Sequence, residues 1–467
     1  MHECTLTGRG RHPSATVLRI LAMSKSPSDT AAGERRTPRP KAARAGIVCA
    51  LIGVASCHLP ESDVPAETAP LVPFVETATL RPDALASASE RAVARERVGD
   101  HERLVLSPTD AVDGECVAEF APWTPRLPFR DAIVSWNVHA PAGTGARFEL
   151  SVSLAEGAGA ERVRGDEHGA EGVRPNEHGA EGVRANEHGA EGVRGGEHGA
   201  EGVRVGEHGA DSWSPWMVVG DVGLVPTPAP DPAWSGGRVD TDYFAGRRAC
   251  ARARVRVRAF SAKDVDARSK VVVERVTVCV SDRTVAVEDV TPRVDPALVQ
   301  RRLDVPFRSQ RTEDPAIAGR ICSPTSLAMV LAYRGVDRAV GDVAARVFDA
   351  RHDLYGNWPR NVQAAYEYGV PGYVTRIASW REAEARIARG TPLIASIGVR
   401  PGQLAGAPYE STSGHLIVIT GFDEHGDVHV NDPAASDEAR GRVVYRRADL
   451  QTVWLDRGGT CYVLDSP

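Results

Sequence analysis

The chain lacks the excess of positive charge that a generic nucleic-acid binder carries; its formal net charge is −6 over 467 residues. Eight cysteines in that length are too few for a disulfide-dense scaffold. No apolar run reaches the roughly 20 residues that a membrane-spanning helix needs. The most apolar candidate, A-G-I-V-C-A-L-I-G-V-A-S at 45–56, is too short. What remains is a chain long enough for two or three domains with proper cores.

That short apolar run has a basic flank, Arg35, Arg36, Arg39, Lys41 and Arg44, and ends at Val54-Ala55-Ser56-Cys57. A charged segment, a short apolar segment and small residues are the pattern of an export signal. The ending resembles the lipobox of bacterial lipoproteins, which implies acylation of Cys57, a lipid anchor in a bacterial membrane and a place in the cell envelope. An ordinary cleaved signal, giving a secreted protein, is the alternative. Residues 1–57 are then the signal, with Met23 an alternative start. Residues 58–95, rich in Pro, Ala, Glu and Ser, read as a flexible tether.

From about 96 to 290 short apolar runs alternate with Pro, Gly and Asp, as in 131–138 and 271–280. Arg252 to Arg258 alternates Arg with Ala or Val, a strand with one wet face. Several such strands predict an all-β sandwich. Trp136, Trp213, Trp216 and Trp234 could offer a sugar-binding platform in it, or simply core. Five near-identical decapeptides, E-G-V-R-x-x-E-H-G-A, fill 161–210 and put a histidine at 168, 178, 188, 198 and 208. A unit with so little to bury predicts a disordered insertion, and the spacing is too loose for a structural metal site. The strand pattern of 148–154 resumes at 213–219, so the repeats sit in a hairpin connection. Cys250 and Cys279 could pair, with Cys116 an alternative partner for either.

Beyond about 296 the pattern changes to helices followed by strands, an α+β order. Its focus is I-C-S-P-T-S-L-A-M-V-L-A-Y-R-G at 321–335. Cys322 precedes Pro324 and an apolar run whose core-facing candidates are Leu327, Met329, Val330 and Leu331. Ser323, Thr325 and Ser326 suit a helix start. A thiol at a helix N-terminus is favoured as thiolate, the nucleophilic form. Such a nucleophile needs a base and an orienter for that base. Of His352, His415, His425 and His429, His415 opens an apolar strand after Gly414. Helices are expected over 340–349, 361–368 and 380–388. Strands are expected over 392–397, 415–420, 427–430, 442–445 and 461–464. A turn at 423–426 between antiparallel strands would bring Asp432 back to His415. Gln310, twelve residues before Cys322, carries an amide able to donate to an oxyanion.

Gln310, the C-S-P-T-S-L-A-M-V-L-A-Y block, Gly414-His415 and Asn431-Asp432-Pro433 together resemble the papain-like cysteine peptidases related to bacteriocin-processing peptidases, family thirty-nine, in its exported branch. Tyr355-Gly356-Asn357-Trp358-Pro359-Arg360-Asn361 resembles that branch too. The likeness spans 296–467. It implies a papain-like fold with Cys322 as nucleophile, His415 as base and acid, Asp432 as orienter and Gln310 as oxyanion donor. Ser323, Tyr355, Asn357, Trp358 and Gly414 are its cleft candidates. Ser323 departs from the family, which often has glycine after the cysteine. The motif brings no metal or organic cofactor.

The expected protein is therefore multi-domain, a lipid-anchored thiol hydrolase acting on a peptide or a cell-wall peptide. The same triad could serve a peptidoglycan amidase or an acyltransferase. The alternative of another class is an envelope binding protein whose sandwich contacts a glycan or protein while the peptidase-like part is inert.

Overall fold

The computed structural model describes residues 69–89, 92–111, 114–156, 213–228, 233–300 and 302–465. Cys57, the signal segment and the decapeptides of 161–210 lie outside them.

Eleven strands form the N-terminal region: β1 (Leu71–Thr79), β2 (Leu85–Ala88), β3 (Val93–Val98), β4 (His101–Leu106), β5 (Glu115–Phe120), β6 (Phe129–His139), β7 (Thr144–Leu154), β8 (Met217–Gly223), β9 (Gly237–Asp240), β10 (Tyr243–Ser261) and β11 (Val271–Glu288). Instead of the two separate sheets of a sandwich, they are hydrogen bonded into one continuous sheet. The long strands cause this. β10 pairs with β5, β6, β7 and β9 along different parts of its length, and β11 with β1, β4 and β6.

The sheet also starts earlier than the composition suggests. Leu71–Thr79, inside the expected tether, pairs along β11 from Glu288 to Thr277. Pro73 disguises it, sitting at the register shift between Pro73 and Phe74 of a strand paired on one side only. Phe74 is fully buried. β7 and β8, which flank the repeats, pair antiparallel, with Ser153 opposite Trp213.

Alternation in β10 buries Ala253, Val255, Val257 and Ala259 and turns the arginines outward. There Arg254 pairs with Glu119 at 3.0 Å, Arg258 with Glu115 at 2.7 Å and Arg256 with Glu149. Arg254 also lies 4.4 Å from the Trp213 ring centre and 4.6 Å from that of Trp216. Trp136 is buried and stacked on Phe148 at 4.3 Å. Trp234 packs on Phe244. The indoles are thus core or arginine-covered, in line with the core alternative and not with a sugar platform. Cys116, Cys250 and Cys279 are buried free thiols, so none of the possible pairings among them is formed.

β6 is buried on both faces. Ala132, Val134, Trp136 and Val138 enter the core of the β-rich region, while Ile133 joins the C-terminal core. On that second face Ser135 Oγ accepts from Val374 N at 3.1 Å, and Asn137 Oδ1 accepts from Gly372 N at 3.3 Å. The Gln363 amide exchanges two bonds with the Val138 backbone, 2.9 and 2.7 Å, as a neighbouring strand would. The two sheets lie within one compact unit, 67–467.

The C-terminal part contains α1 (Pro296–Val299), α2 (Cys322–Tyr333), α3 (Val340–Val347), α4 (Trp358–Glu367), β12 (Gly372–Arg376), α5 (Trp380–Ala388), β13 (Leu393–Val399), β14 (Thr412–Phe422), β15 (Val428–Asn431), α6 (Glu438–Gly441), β16 (Arg442–Tyr445), α7 (Arg447–Val453) and β17 (Thr460–Leu464). Its six strands form an antiparallel sheet in the order β12-β17-β13-β14-β15-β16. α2 packs against β14 and is buried continuously from Ser323 to Leu331. No helix among the described residues is long and apolar enough to cross a membrane.

Candidate active site

Cys322 is the first residue of α2 and is half-buried. Ile321 holds the N-cap position without a side-chain cap, so the serines and threonine beyond it are not caps. Thr325 Oγ1 donates to the Ile321 carbonyl at 2.7 Å. Ser326 Oγ donates to the Leu416 carbonyl at 3.0 Å, fastening α2 to β14 beside His415. Ser323 is fully buried and bonded to Asn361 and Tyr462, each at 2.9 Å. Its hydroxyl is turned to α4 and β17.

β14 and β15 turn back on each other with Phe422 opposite Val428. The chain leaving β15 puts the Asp432 carboxylate against His415, with Nε2 to Oδ1 at 2.8 Å. Asp432 Oδ1 also accepts from Ala434 N at 3.0 Å; Oδ2 accepts the hydroxyls of Tyr409 at 3.0 Å and Tyr445 at 2.8 Å. Asp432 is fully buried and His415 nearly so. The Tyr409 ring meets the imidazole edge-on, centroids 4.9 Å apart. Sequence reasoning missed both tyrosines. Tyr445 carried a faint signal, since β16 pairs with β15.

The electrostatics follow from this packing. Burial pushes the Cys322 thiol up, but the adjacent His415 and the N–H groups of Leu416 and Ser323 outweigh it and hold the thiol low. Burial likewise opposes charge on His415, yet Asp432 and the Cys322 sulfur raise it to about 10. Burial would raise Asp432; His415 and the surrounding donors keep it low instead. All three shifts favour a thiolate, an imidazolium and a carboxylate in a row.

Gln310 is bolted to the same place. Its N–H donates to the Pro433 carbonyl at 2.9 Å, while Nε2 donates to the Ala318 carbonyl at 2.8 Å, four residues before Cys322. A primary amide has a second N–H to offer. Gln310 Oε1 is buried with no partner among the described residues.

The cleft candidates divide. Gly414 is exposed next to His415. Tyr355 is half-buried, packed on Phe348 and beneath Arg320 of the segment entering α2. Asn357 caps α4, accepting from Arg360 N at 3.1 Å, and donates to Asp349 at 2.9 Å. Trp358 donates its backbone N–H to Asp242 at 2.7 Å and packs on Tyr243 of β10. Asn357 is therefore part of a helix start, and Trp358 part of that start and of the contact with the β-rich sheet. His352 pairs with Asp349 at 2.9 Å, His425 is exposed, and His429 is half-buried beside Arg302, away from the pair. Among the described residues no group of three or more His, Cys, Asp or Glu side chains could hold a metal ion.

Comparison with known proteins adds the following. No curated protein matches the chain. A double-glycine-motif protease from an AMS/PCAT transporter, solved in complex with the leader peptide, is 21% identical, over 36% of this chain and 94% of its own, with a TM-score of 0.25. A C39-like peptidase from Bacillus anthracis is 18% identical, over 35% of this chain and 96% of its own, with a TM-score of 0.27. The model of the Peptidase_C39 like family matches residues 302–462, a span that contains Gln310, Cys322, His415 and Asp432. The match reaches the family and not an exported lipoprotein branch of it: residues 302–462 are similar to the C39-like peptidases.

Proposed function

We propose that this protein is a cysteine peptidase that hydrolyses a peptide bond through Cys322, His415 and Asp432. The observation that carries the reading is the buried His415–Asp432 pair at 2.8 Å, adjacent to a thiol held low at a helix N-terminus. His415 turns Nε2 to Asp432, which leaves Nδ1 for the cysteine proton. The thiolate attacks the carbonyl carbon, forming a C–S bond as the carbonyl π pair moves to oxygen. The second Gln310 N–H and the Cys322 N–H are the donors for that oxyanion. Collapse expels the amine, which takes the proton from His415 Nδ1 and leaves a thioester. His415 then removes a proton from water as the water attacks the thioester. Collapse of the second intermediate releases the carboxylic acid and restores the thiolate–imidazolium pair.

The substrate class is a peptide, in keeping with the match to the C39-like peptidase family, and a cell-wall peptide belongs to the same chemistry. The basic and apolar flank of Cys57 supports export and a lipid anchor at the envelope. The test is single-turnover hydrolysis of a peptide library and of peptidoglycan fragments, with mass spectrometry of Cys322 during turnover. A Cys322 thioester that accumulates and decays is the expected result. Hydrolysis surviving Cys322→Ala would defeat the reading.

A further inference from the structure

The hydroxyl of Ser323, the residue after Cys322, is fully committed. Asn361 Nδ2 donates to two backbone carbonyls, Tyr355 at 2.9 Å and Asn357 at 2.8 Å. Those bonds fix which way the amide faces, so Oδ1 is the acceptor toward α2. Ser323 therefore donates to Asn361 Oδ1, and Tyr462 of β17 must donate to Ser323 Oγ. Every donor has an acceptor, and the three side chains are fully buried. Glycine at 323 would leave the Asn361 oxygen and the Tyr462 hydroxyl without partners in a dry interior.

The same set has a second anchor outside the peptidase fold. Asn361 is one turn into α4. The first N–H of that helix is held by Asp242, from the loop between β9 and β10, and Trp358 packs on Tyr243. Two residues beyond Asn361, on the same helix, Gln363 pairs with the backbone of β6. At the other end, the N–H of Ser323 faces the Cys322 sulfur. Hydrogen bonds and one helix thus run unbroken from the β-rich sheet to the nucleophile's own backbone.

We propose that the β-rich region is a working part of the active site: Asp242 on α4, and the Asn361–Ser323–Tyr462 set between α4 and α2, fix the first turn of α2 and so hold the Cys322 sulfur against His415. Ser323, Asn361, Tyr462 and Asp242 are positioning residues. The inference rests on Cys322 being the nucleophile, and one experiment separates the failure of each.

The rate of Cys322 alkylation by iodoacetamide is measured from acid to alkaline pH, with the melting temperature of every variant recorded. The unsubstituted protein comes first. If its Cys322 titrates like a free thiol, near about 8.5, the peptidase reading itself fails. With an acid-shifted profile in hand, Ser323→Ala and Tyr462→Phe, each removing one hydroxyl and little volume, should move the midpoint up by about one pH unit, a tenfold loss of thiolate at a fixed acid pH. The double variant should be little worse than Ser323→Ala, because the two act as one unit. Asp242→Ala should shift the profile the same way. Asp242→Asn, which keeps an acceptor oxygen for Trp358, should leave it in place. Profiles of Ser323→Ala and Tyr462→Phe that superimpose on the original, with only the melting temperature lowered, would make the set purely structural and overturn the proposal. A shift in those two with none in a folded Asp242→Ala would overturn the role of the β-rich region.

Discussion

His415 presents Nε2, not Nδ1, to Asp432, at 2.8 Å. The orientation decides which nitrogen handles the cysteine proton, and it sets the pH window of the pair. The thiol is held low and the imidazole raised to about 10, so the charged pair exists between those two values. As pH falls through the lowered thiol value, the thiolate is protonated; as pH rises through about 10, His415 loses the proton that the proposed mechanism passes to the leaving amine. A plot of kcat/KM against pH should be a broad bell whose acid limb lies well below that of a free thiol. An alkaline limb near the ordinary imidazole range would contradict this.

Asp432→Asn should be costly although it is nearly isosteric. The carboxylate accepts from His415, Ala434, Tyr409 and Tyr445 at once. An amide has a single acceptor oxygen, so donors would confront donors in a closed interior. A loss of at least about 100-fold in kcat is expected, as when the orienting carboxylate of a hydrolytic triad is removed. Stopped-flow kinetics would measure it; activity within a few-fold of the original would deny Asp432 an orienting role.

Tyr409→Phe and Tyr445→Phe isolate the two phenols. Each removes one donor to a buried carboxylate, a loss of roughly 1.5–3 kcal/mol. The sign with pH follows from linkage. Asp432 is held low in the folded protein, so its contribution is present above the unfolded carboxylate value and is lost as pH falls through the folded one. Fewer donors raise the folded value, and acid unfolding, followed by circular dichroism, should begin at higher pH in both variants. An unchanged acid midpoint would contradict this.

The strongest features of the site were legible because they are local. The apolar run after Cys322, the turn between β14 and β15, and the alternation of Arg with Ala or Val in β10 each announce themselves within a dozen residues. What the sequence hid was non-local or doubly readable. Tyr409 reaches Asp432 from the irregular segment between β13 and β14, with no periodicity to mark it. Asn357-Trp358-Pro359, read in the sequence for its resemblance to a family motif, is a helix start, Asn at the N-cap and Pro in the first turn, so α4 begins three residues before the expected 361. Leu71–Thr79 was lost in a Pro- and Ala-rich stretch because strand pairing with β11, not composition, makes it a strand.

The cysteines give a prediction that needs no substrate. Cys116, Cys250, Cys279 and Cys461 are buried, and burial pushes their thiols up, to about 12 for Cys116 and Cys250. Cys322 alone among the described cysteines is both accessible and held low. Brief iodoacetamide treatment of the native chain at mildly acid pH should therefore label Cys322 in preference to these four. Unfolding without reductant should expose all four as free thiols. Peptide mapping by mass spectrometry would read both, and a disulfide between any two of them would refute the assignment.

Asp242 makes the contact with the β-rich sheet sensitive to pH in a direction opposite to Asp432. Burial raises it from the usual carboxylate range to about 7, against the Trp358 N–H that would lower it. Here the folded value lies above the unfolded one, so the folded state binds more protons across that interval. Stability is therefore highest below the unfolded value, falls as pH rises toward about 7, and carries the full cost of a buried charge above it. Asn at this position keeps an oxygen for Trp358 and has no charge to bury. Asp242→Asn should thus stabilise the protein on the alkaline side of neutrality by up to about 4 kcal/mol, three pH units at 1.36 kcal/mol each, and little or not at all under acid conditions. Denaturant titrations of the two proteins at acid and alkaline pH would show it as a gap in midpoint that widens as pH rises. A constant gap would mean that Asp242 stays ionised throughout and that Trp358 is enough to hold it so.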